Sequence, residues 1–155
     1  MYDPMMIQPF RDELTRAGFT ELRTPEDVDA AVREKGTALL VVNSVCGCAA
    51  GQARPGAVMA VRHALKPDRL LTVFAGQDVE ATARARSYFT GYPPSSPCMA
   101  ILKDGQLVYF LQRHQIQTMD AGQIRDALAE AFEAVATGVT SKAVAPGLDL
   151  PVARS

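Results

Sequence analysis

The 155-residue chain is expected to fold as one α/β domain with a central mixed β-sheet flanked by α-helices. Three observations predict it. Ala38-Leu39-Leu40-Val41-Val42 and Arg69-Leu70-Leu71-Thr72-Val73-Phe74 are mostly apolar runs of strand length, the pattern of strands buried on both faces beside parallel neighbours. They alternate with stretches of helical periodicity, and the order strand, helix, strand, helix implies a crossover connection and a partly parallel sheet. Farther on, Asp104-Gly105 stands between two more apolar segments, a pair that favours a tight hairpin and hence antiparallel strands. The length is close to that of a single domain with one core.

Each element has its own signal. Phe10, Leu14 and Ala17 recur at helical spacing before Gly18, predicting a short amphipathic helix closed by a glycine cap. Thr24-Pro25-Glu26-Asp27 reads as a helix start, since Thr24 can accept from an early N–H, Pro25 fits the first position and the acids suit the positive helix end. That second helix is expected from about Pro25 to Glu34, with Gly36 stopping it before the strand at Ala38–Val42. Ala49 to Leu65 is alanine-rich with Val58, Val61 and Leu65 at helical spacing, and Pro55-Gly56 predicts a kink within it. The strand at Arg69–Phe74 precedes a helix from Asp78 to Phe89, in which Val79, Ala83 and Tyr88 fall near one face. Gly91-Tyr92-Pro93-Pro94-Ser95-Ser96-Pro97 is a rigid loop leading into a strand from Cys98 to Leu102, and Leu107–Leu111 returns as its partner. A closing helix from about Ala121 to Ala136 buries Ile124, Leu128, Phe132 and Val135. Gly138, Ser141, Pro146, Gly147 and Pro151 then break every periodicity, so the domain is expected over 1–136 and a loosely held tail over 137–155.

Composition removes several functional classes. Hydrophobic residues make up 48% and charged residues 21% of the chain, which is ordinary for a soluble protein. Lys+Arg number 16 against 17 Asp+Glu, a formal net charge of -1, so there is no basic field for counterion release from nucleic acid. No apolar run approaches the roughly 20 residues that a bilayer span needs. The amino terminus lacks a basic start followed by an apolar stretch, so no signal peptide and a cytoplasmic location are expected. Three cysteines are too few for a disulfide scaffold, and in a reducing compartment they point to thiol chemistry instead.

Cys46-Gly47-Cys48 lies between a buried strand and a helix start. Unpaired N–H groups and the positive end of the following helix favour a thiolate there, which makes a nucleophile. Cys46, nearest the strand end, is the expected attacker. Cys48, at or just inside the helix, is placed to resolve a mixed disulfide on its neighbour, and Gly47 gives the backbone freedom to bring the two sulfurs together. A disulfide across one intervening residue closes a small, strained ring, which should be easily reduced. One rival reading is a metal site in which Cys46, Cys48 and Cys98 meet, with His63 or His114 as a fourth ligand; against it, one intervening residue is shorter than the usual zinc-ligand spacing. A second rival is a non-catalytic interaction module in which small cysteines merely fill the core. Pro97, just before a strand of an antiparallel hairpin, resembles the cis proline that faces the redox cysteines in thioredoxin-like folds.

The segments Glu21-Leu22-Arg23-Thr24-Pro25, Val42 to Gly51 around the Cys-Gly-Cys motif, Ala53-Arg54-Pro55, Val73 to Asp78, Pro94-Ser95-Ser96-Pro97 and Arg113-His114, with Met1-Tyr2-Asp3, together resemble the bacilliredoxin family of Cys-Gly-Cys disulfide isomerases. The resemblance covers about Met1 to Val135. It implies a thioredoxin-like fold and removal of bacillithiol from mixed disulfides on cytoplasmic proteins. It also implies Cys46 as the attacking residue, Cys48 as its partner and a second thiol to clear the adduct, with no metal or organic cofactor. Two features depart from the family pattern: Cys98, where a serine commonly follows the proline, and the tail after Val135. Cys98 is therefore a candidate alternative resolving thiol or, on the plainer reading, a small residue starting a strand. Arg54 is a candidate for binding an anionic group of the thiol substrate, against the plainer reading of a solvated helix arginine. His63 and His114 are expected to be structural or surface residues.

Overall fold

A strand whose side chains are apolar on both faces must be covered twice, and that requirement sets the architecture of the computed structural model, which describes residues 1–138. Strand β2 (Thr37–Asn43) runs through the middle of the sheet, with Ala38 to Val42 fully buried. The sheet is completed by β1 (Thr20–Glu21), β3 (Arg69–Phe74), β4 (Cys98–Lys103) and β5 (Gln106–Leu111), in the order β1-β3-β2-β4-β5. β3 lies parallel to β2 and to β1, while β4 runs antiparallel to both β2 and β5, so the sheet is mixed as expected. Asp104 and Gly105 both take positive φ, 51° and 81°, the conformation that a two-residue hairpin turn requires.

The helices are α1 (Pro4–Thr15), α2 (Pro25–Arg33), α3 (Arg54–Ala60), α4 (Val79–Arg86), α5 (Arg113–Ile116) and α6 (Ala121–Thr137). α2 packs with α4, and α3 packs with α6 and α1. Thr24 caps α2 as its sequence predicts, its hydroxyl accepting from Asp27 N–H at 3.1 Å. α6 buries Ile124, Leu128, Phe132 and Val135, the four residues that its periodicity selects. Gly56 marks the crossing of α3 and α6, where a Cβ would come within 2.6 Å of Ile124.

Several boundaries differ from the expectation, each for a local reason. α1 turns Ile7, Arg11 and Leu14 inward rather than Phe10 and Ala17, because Arg11 brings its own partners, Glu21 and Asp78, into the interior. The irregularity assigned to Pro55-Gly56 falls one turn earlier: Ala49–Ala53 is a π-helical turn in which Arg54 N–H reaches the Ala49 carbonyl. Pro55 has no N–H to offer the preceding turn, which widens instead. α3 stops at Ala60 rather than Leu65, and the His63 ring accepts from Leu65 N–H at 3.0 Å where the helix would have continued. β1 and α5 carry no periodicity because they are two and four residues long. Thr137, assigned to the tail, is the last residue of α6, and Gly138 caps it at φ 82°. The expected tail otherwise falls outside the described residues.

Candidate active site

The carboxyl end of β2 and the turn that follows it carry the cysteine motif. Asn43, the last residue of β2, accepts from Ser44 N–H through Oδ1 at 2.8 Å and donates from Nδ2 to the Phe10 carbonyl at 3.1 Å. Arg54 Nη1 donates to both Asn43 Oδ1 and the Ser44 carbonyl, at 2.9 and 2.7 Å, and Arg54 Nε donates to Glu13 at 2.8 Å. Its guanidinium also lies 4.7 Å from the Phe10 ring centre. Arg54 is 1% exposed. Both expectations for this side chain are corrected: it is neither solvated nor open to a substrate anion, because it is buried with Nε on Glu13 and Nη1 on Asn43 and Ser44. It shapes the site from below.

Above that floor, the Cys46 carbonyl accepts from the N–H groups of Ala49 and Ala50 at 3.0 and 3.2 Å, so the helical turn starts at the motif. The Cys46 and Cys48 sulfurs are 2.9 Å apart, and the Ser44 hydroxyl lies 3.4 Å from Cys46 Sγ. Partial burial pushes the Cys46 thiol up, but hydrogen bonds from Cys48, from Ser44 and from the backbone N–H groups of Ala49 and Cys48 outweigh it and hold it below the ordinary thiol range. Cys48 moves the opposite way: burial, the hydrogen bond to Cys46 and the Cys46 charge raise it, with Arg113 acting in the other direction. Of the two, Cys46 is the one on which the charged form is favoured, with Cys48 placed to donate to it. Gly47 is exposed, and a side chain there would meet nothing within 4 Å. The sulfurs approach one another without any conformation reserved to glycine.

The Ser96–Pro97 peptide is cis, and Pro97 is buried. Cys98, the next residue, pairs with Val42 in the β2–β4 register, so the proline stands beside the strand end from which the cysteine turn departs. Two arginines hold this loop. Arg86 Nη2 donates to the Ser95 carbonyl at 3.2 Å, and Arg113 Nη1 donates to the Ser96 carbonyl at 3.0 Å. Arg113 is a site residue that reasoning from periodicity and spacing missed; its only trace in the sequence is its place in the Arg113-His114 segment.

Cys98 is 1% exposed. Burial pushes its thiol up to about 12, against smaller opposing effects of Arg86 and Ser95. A thiol so buried stays protonated at neutral pH, which leaves Cys98 without the nucleophile that a resolving thiol needs. The metal reading also fails on geometry, since no three His, Cys, Asp or Glu side chains among the described residues come together as ligands. His63 bonds to Glu133 on α6 at 2.8 Å, and His114 is exposed. Iodoacetamide at neutral pH is therefore expected to alkylate Cys46 first and Cys48 more slowly, and to reach Cys98 only after unfolding. Peptide mapping of a time course checks this order, and early labelling of Cys98 would contradict it.

Comparison with known proteins places this geometry in a family. The model of the disulphide isomerase family matches residues 2–136. A bacilliredoxin of Koribacter versatilis is 58% identical over 134 residues, spanning 86% of this chain and 92% of the relative. One from Geobacillus kaustophilus is 62% identical over 112 residues, 72% and 77% of the two chains, and one from Bacillus cereus is 53% identical over 128 residues, 83% and 89%. Among solved structures, a protein with a thioredoxin fold superposes with a TM-score of 0.50 at 10% identity, over 66% of this chain and 94% of that one. The fold is thioredoxin-like. Matched from its second residue to the end of α6, the chain belongs to the disulphide isomerase family and is a thiol–disulfide oxidoreductase.

Proposed function

We propose that the protein removes a low-molecular-weight thiol, bacillithiol, from mixed disulfides on cytoplasmic proteins, with Cys46 attacking and Cys48 as its partner. The observation that carries this reading is the 2.9 Å contact between the two sulfurs, with the Cys46 thiol held below the ordinary range and the Cys48 thiol above it. Cys46 attacks the small-thiol sulfur of the mixed disulfide. A bond forms between that sulfur and Cys46, the target protein leaves as a thiolate, and the small thiol remains on Cys46. Pro97 shapes the other side of the site, Gly47 leaves the approach open, and Arg54 fixes the Ser44 carbonyl beneath it. Cys98 serves the core rather than the exchange. No metal or organic cofactor enters these steps, and the substrates are S-thiolated proteins rather than nucleic acids or membranes. Among the described residues no helix is long and apolar enough to cross a membrane.

The test is a trap. Cys48→Ser protein is mixed with a protein carrying bacillithiol in mixed disulfide and quenched in acid. Mass spectrometry is expected to find the bacillithiol mass on Cys46 and the target thiol free. Absence of that adduct, or equal transfer of glutathione and free cysteine, would sink the assignment to bacillithiol.

A further inference from the structure

Large apolar side chains left in water on a folded domain are ordinarily scattered. Here they gather. Met1, Tyr2, Met5, Met6, Leu65 and Val79 are the large hydrophobic residues exposed among the described ones, and all but Leu65 belong to one corner of the molecule. Two contacts join that corner together: Tyr2 N–H donates to Gln77 Oε1 at 2.9 Å, and the Tyr2 ring lies against Gly76, where a Cβ would meet it at 3.2 Å. The amino end of α1 thus sits on the turn between β3 and α4, with Val79 two residues beyond Gln77 as the first residue of α4.

The packing of α1 does not call for these methionines. Its inward face is Ile7, Arg11 and Leu14, and the outward positions of an amphipathic helix are ordinarily polar. Met5 is 84% exposed and Met6 50%, so neither fills the core. Methionine is unbranched and polarizable, adapts to differing partners, and is enriched where proteins bind one another.

The corner is continuous with the cysteine turn. Ala75 N–H donates to the Asn43 carbonyl at 2.9 Å, joining the end of β3 to the end of β2, and Asn43 Nδ2 donates to the Phe10 carbonyl of α1 at 3.1 Å. Cys46 follows Asn43 by three residues, at most about 10 Å of chain. Met6 precedes Phe10 by about one helical turn, roughly 6 Å. A polypeptide whose sulfur is at Cys46 covers about 27 Å with eight extended residues, so side chains flanking its own cysteine reach the corner.

We propose that this corner is a docking surface for the target polypeptide, taking apolar side chains that lie within about eight residues of the modified cysteine. The occupant follows from the chemistry beside it. Thiol–disulfide exchange with a protein brings that protein's chain to Cys46, and the segments on either side of its cysteine must then lie on the surface around the turn. Recognition by methionine is permissive, which suits removal of one chemical group from differing sequences. This role rests on the exchange at Cys46 set out above and names the part of the target that is bound.

Two peptides of equal length test it, each with one central cysteine in mixed disulfide with bacillithiol, one flanked by Leu, Val and Phe and the other by Ser and Gln. Release of the peptide thiol is followed with reduced protein in excess, so that a single transfer is read. Wild-type protein is expected to react about tenfold faster with the apolar peptide. Met5→Gln/Met6→Gln should lower that preference to about twofold or less, with the melting temperature unchanged because both side chains stand in water. Leu65→Gln should keep the tenfold preference: Leu65 is the exposed apolar side chain that shares a cavity with Thr37, at the opposite end of β2 from the cysteines. Equal rates with the two peptides, or a preference that Met5→Gln/Met6→Gln leaves intact, overturn the docking role. So does a wild-type dimer in sedimentation velocity that the double variant converts to monomer, because a second copy would then cover the face. If wild-type protein releases thiol from neither peptide, the exchange reading itself falls and the docking role with it, a result distinct from equal release from both.

Discussion

Cys46→Ser is expected to lower the reduction of a mixed-disulfide protein by at least about a thousandfold, the scale on which loss of a covalent nucleophile is felt. The serine hydroxyl would occupy nearly the same space, keep the hydrogen bond with the Ser44 hydroxyl, and remain protonated at any physiological pH. The fold should survive, because Cys46 is only partly buried and belongs to the surface turn. Cys48→Ser should behave differently, since the attack still occurs and the adduct accumulates. A coupled assay that follows release of the target thiol distinguishes the two variants. Retention of more than about a tenth of the activity by Cys46→Ser would mean that another thiol attacks, and Cys98 is too deeply buried to be that thiol.

Arg54→Met is expected to cost about 1–3 kcal/mol of stability, the range for leaving a buried acceptor without its donor. Methionine fills much of the volume but leaves Asn43 Oδ1 and the Ser44 carbonyl without their donor, and it leaves Glu13 without its cation. Since a domain of this size is held by only about 5–15 kcal/mol in total, a large fraction of the stability is at stake. Urea unfolding followed by circular dichroism measures it, and a loss below about 1 kcal/mol would show that the network contributes little net energy. The variant should also raise the Cys46 thiol, because the Ser44 hydroxyl that bonds to Cys46 is carried by the segment Arg54 anchors. A slower alkylation of Cys46 in folded protein reports that second effect.

Both predictions depend on residues that read very differently in the sequence. Cys46-Gly47-Cys48 is legible because its chemistry is carried by residue type and by its place between an apolar run and a helix start, both of which are local. β2, the parallel β3 and the Asp104-Gly105 hairpin are legible for the same reason: a buried strand must be apolar along its length, and a two-residue turn needs backbone that few residues adopt. The parallel neighbours β2 and β3 and the antiparallel hairpin then leave few arrangements of the sheet.

Arg54 is the opposite case. Its spacing marks it as one more helix arginine, and only the packing of α1 against α3 brings Glu13, 41 residues earlier, against its guanidinium. A charge can be buried only where partners from elsewhere in the chain meet it, and no local pattern records where those partners will be. Arg113 is hidden likewise, because only the fold brings a four-residue helix up to the Ser96 carbonyl. Cys98 looks from the sequence like a third reactive thiol beside a proline, and its position in the sheet interior removes that reactivity. The sequence by itself determined that this protein is a mixed-sheet α/β domain with a cysteine pair at a strand end. Tertiary structure decided which cysteine is favoured as the thiolate, which one is buried and which arginines are drawn in beside the cysteine turn and the proline loop, because ionisation depends on burial and on neighbours that only the folded chain brings together.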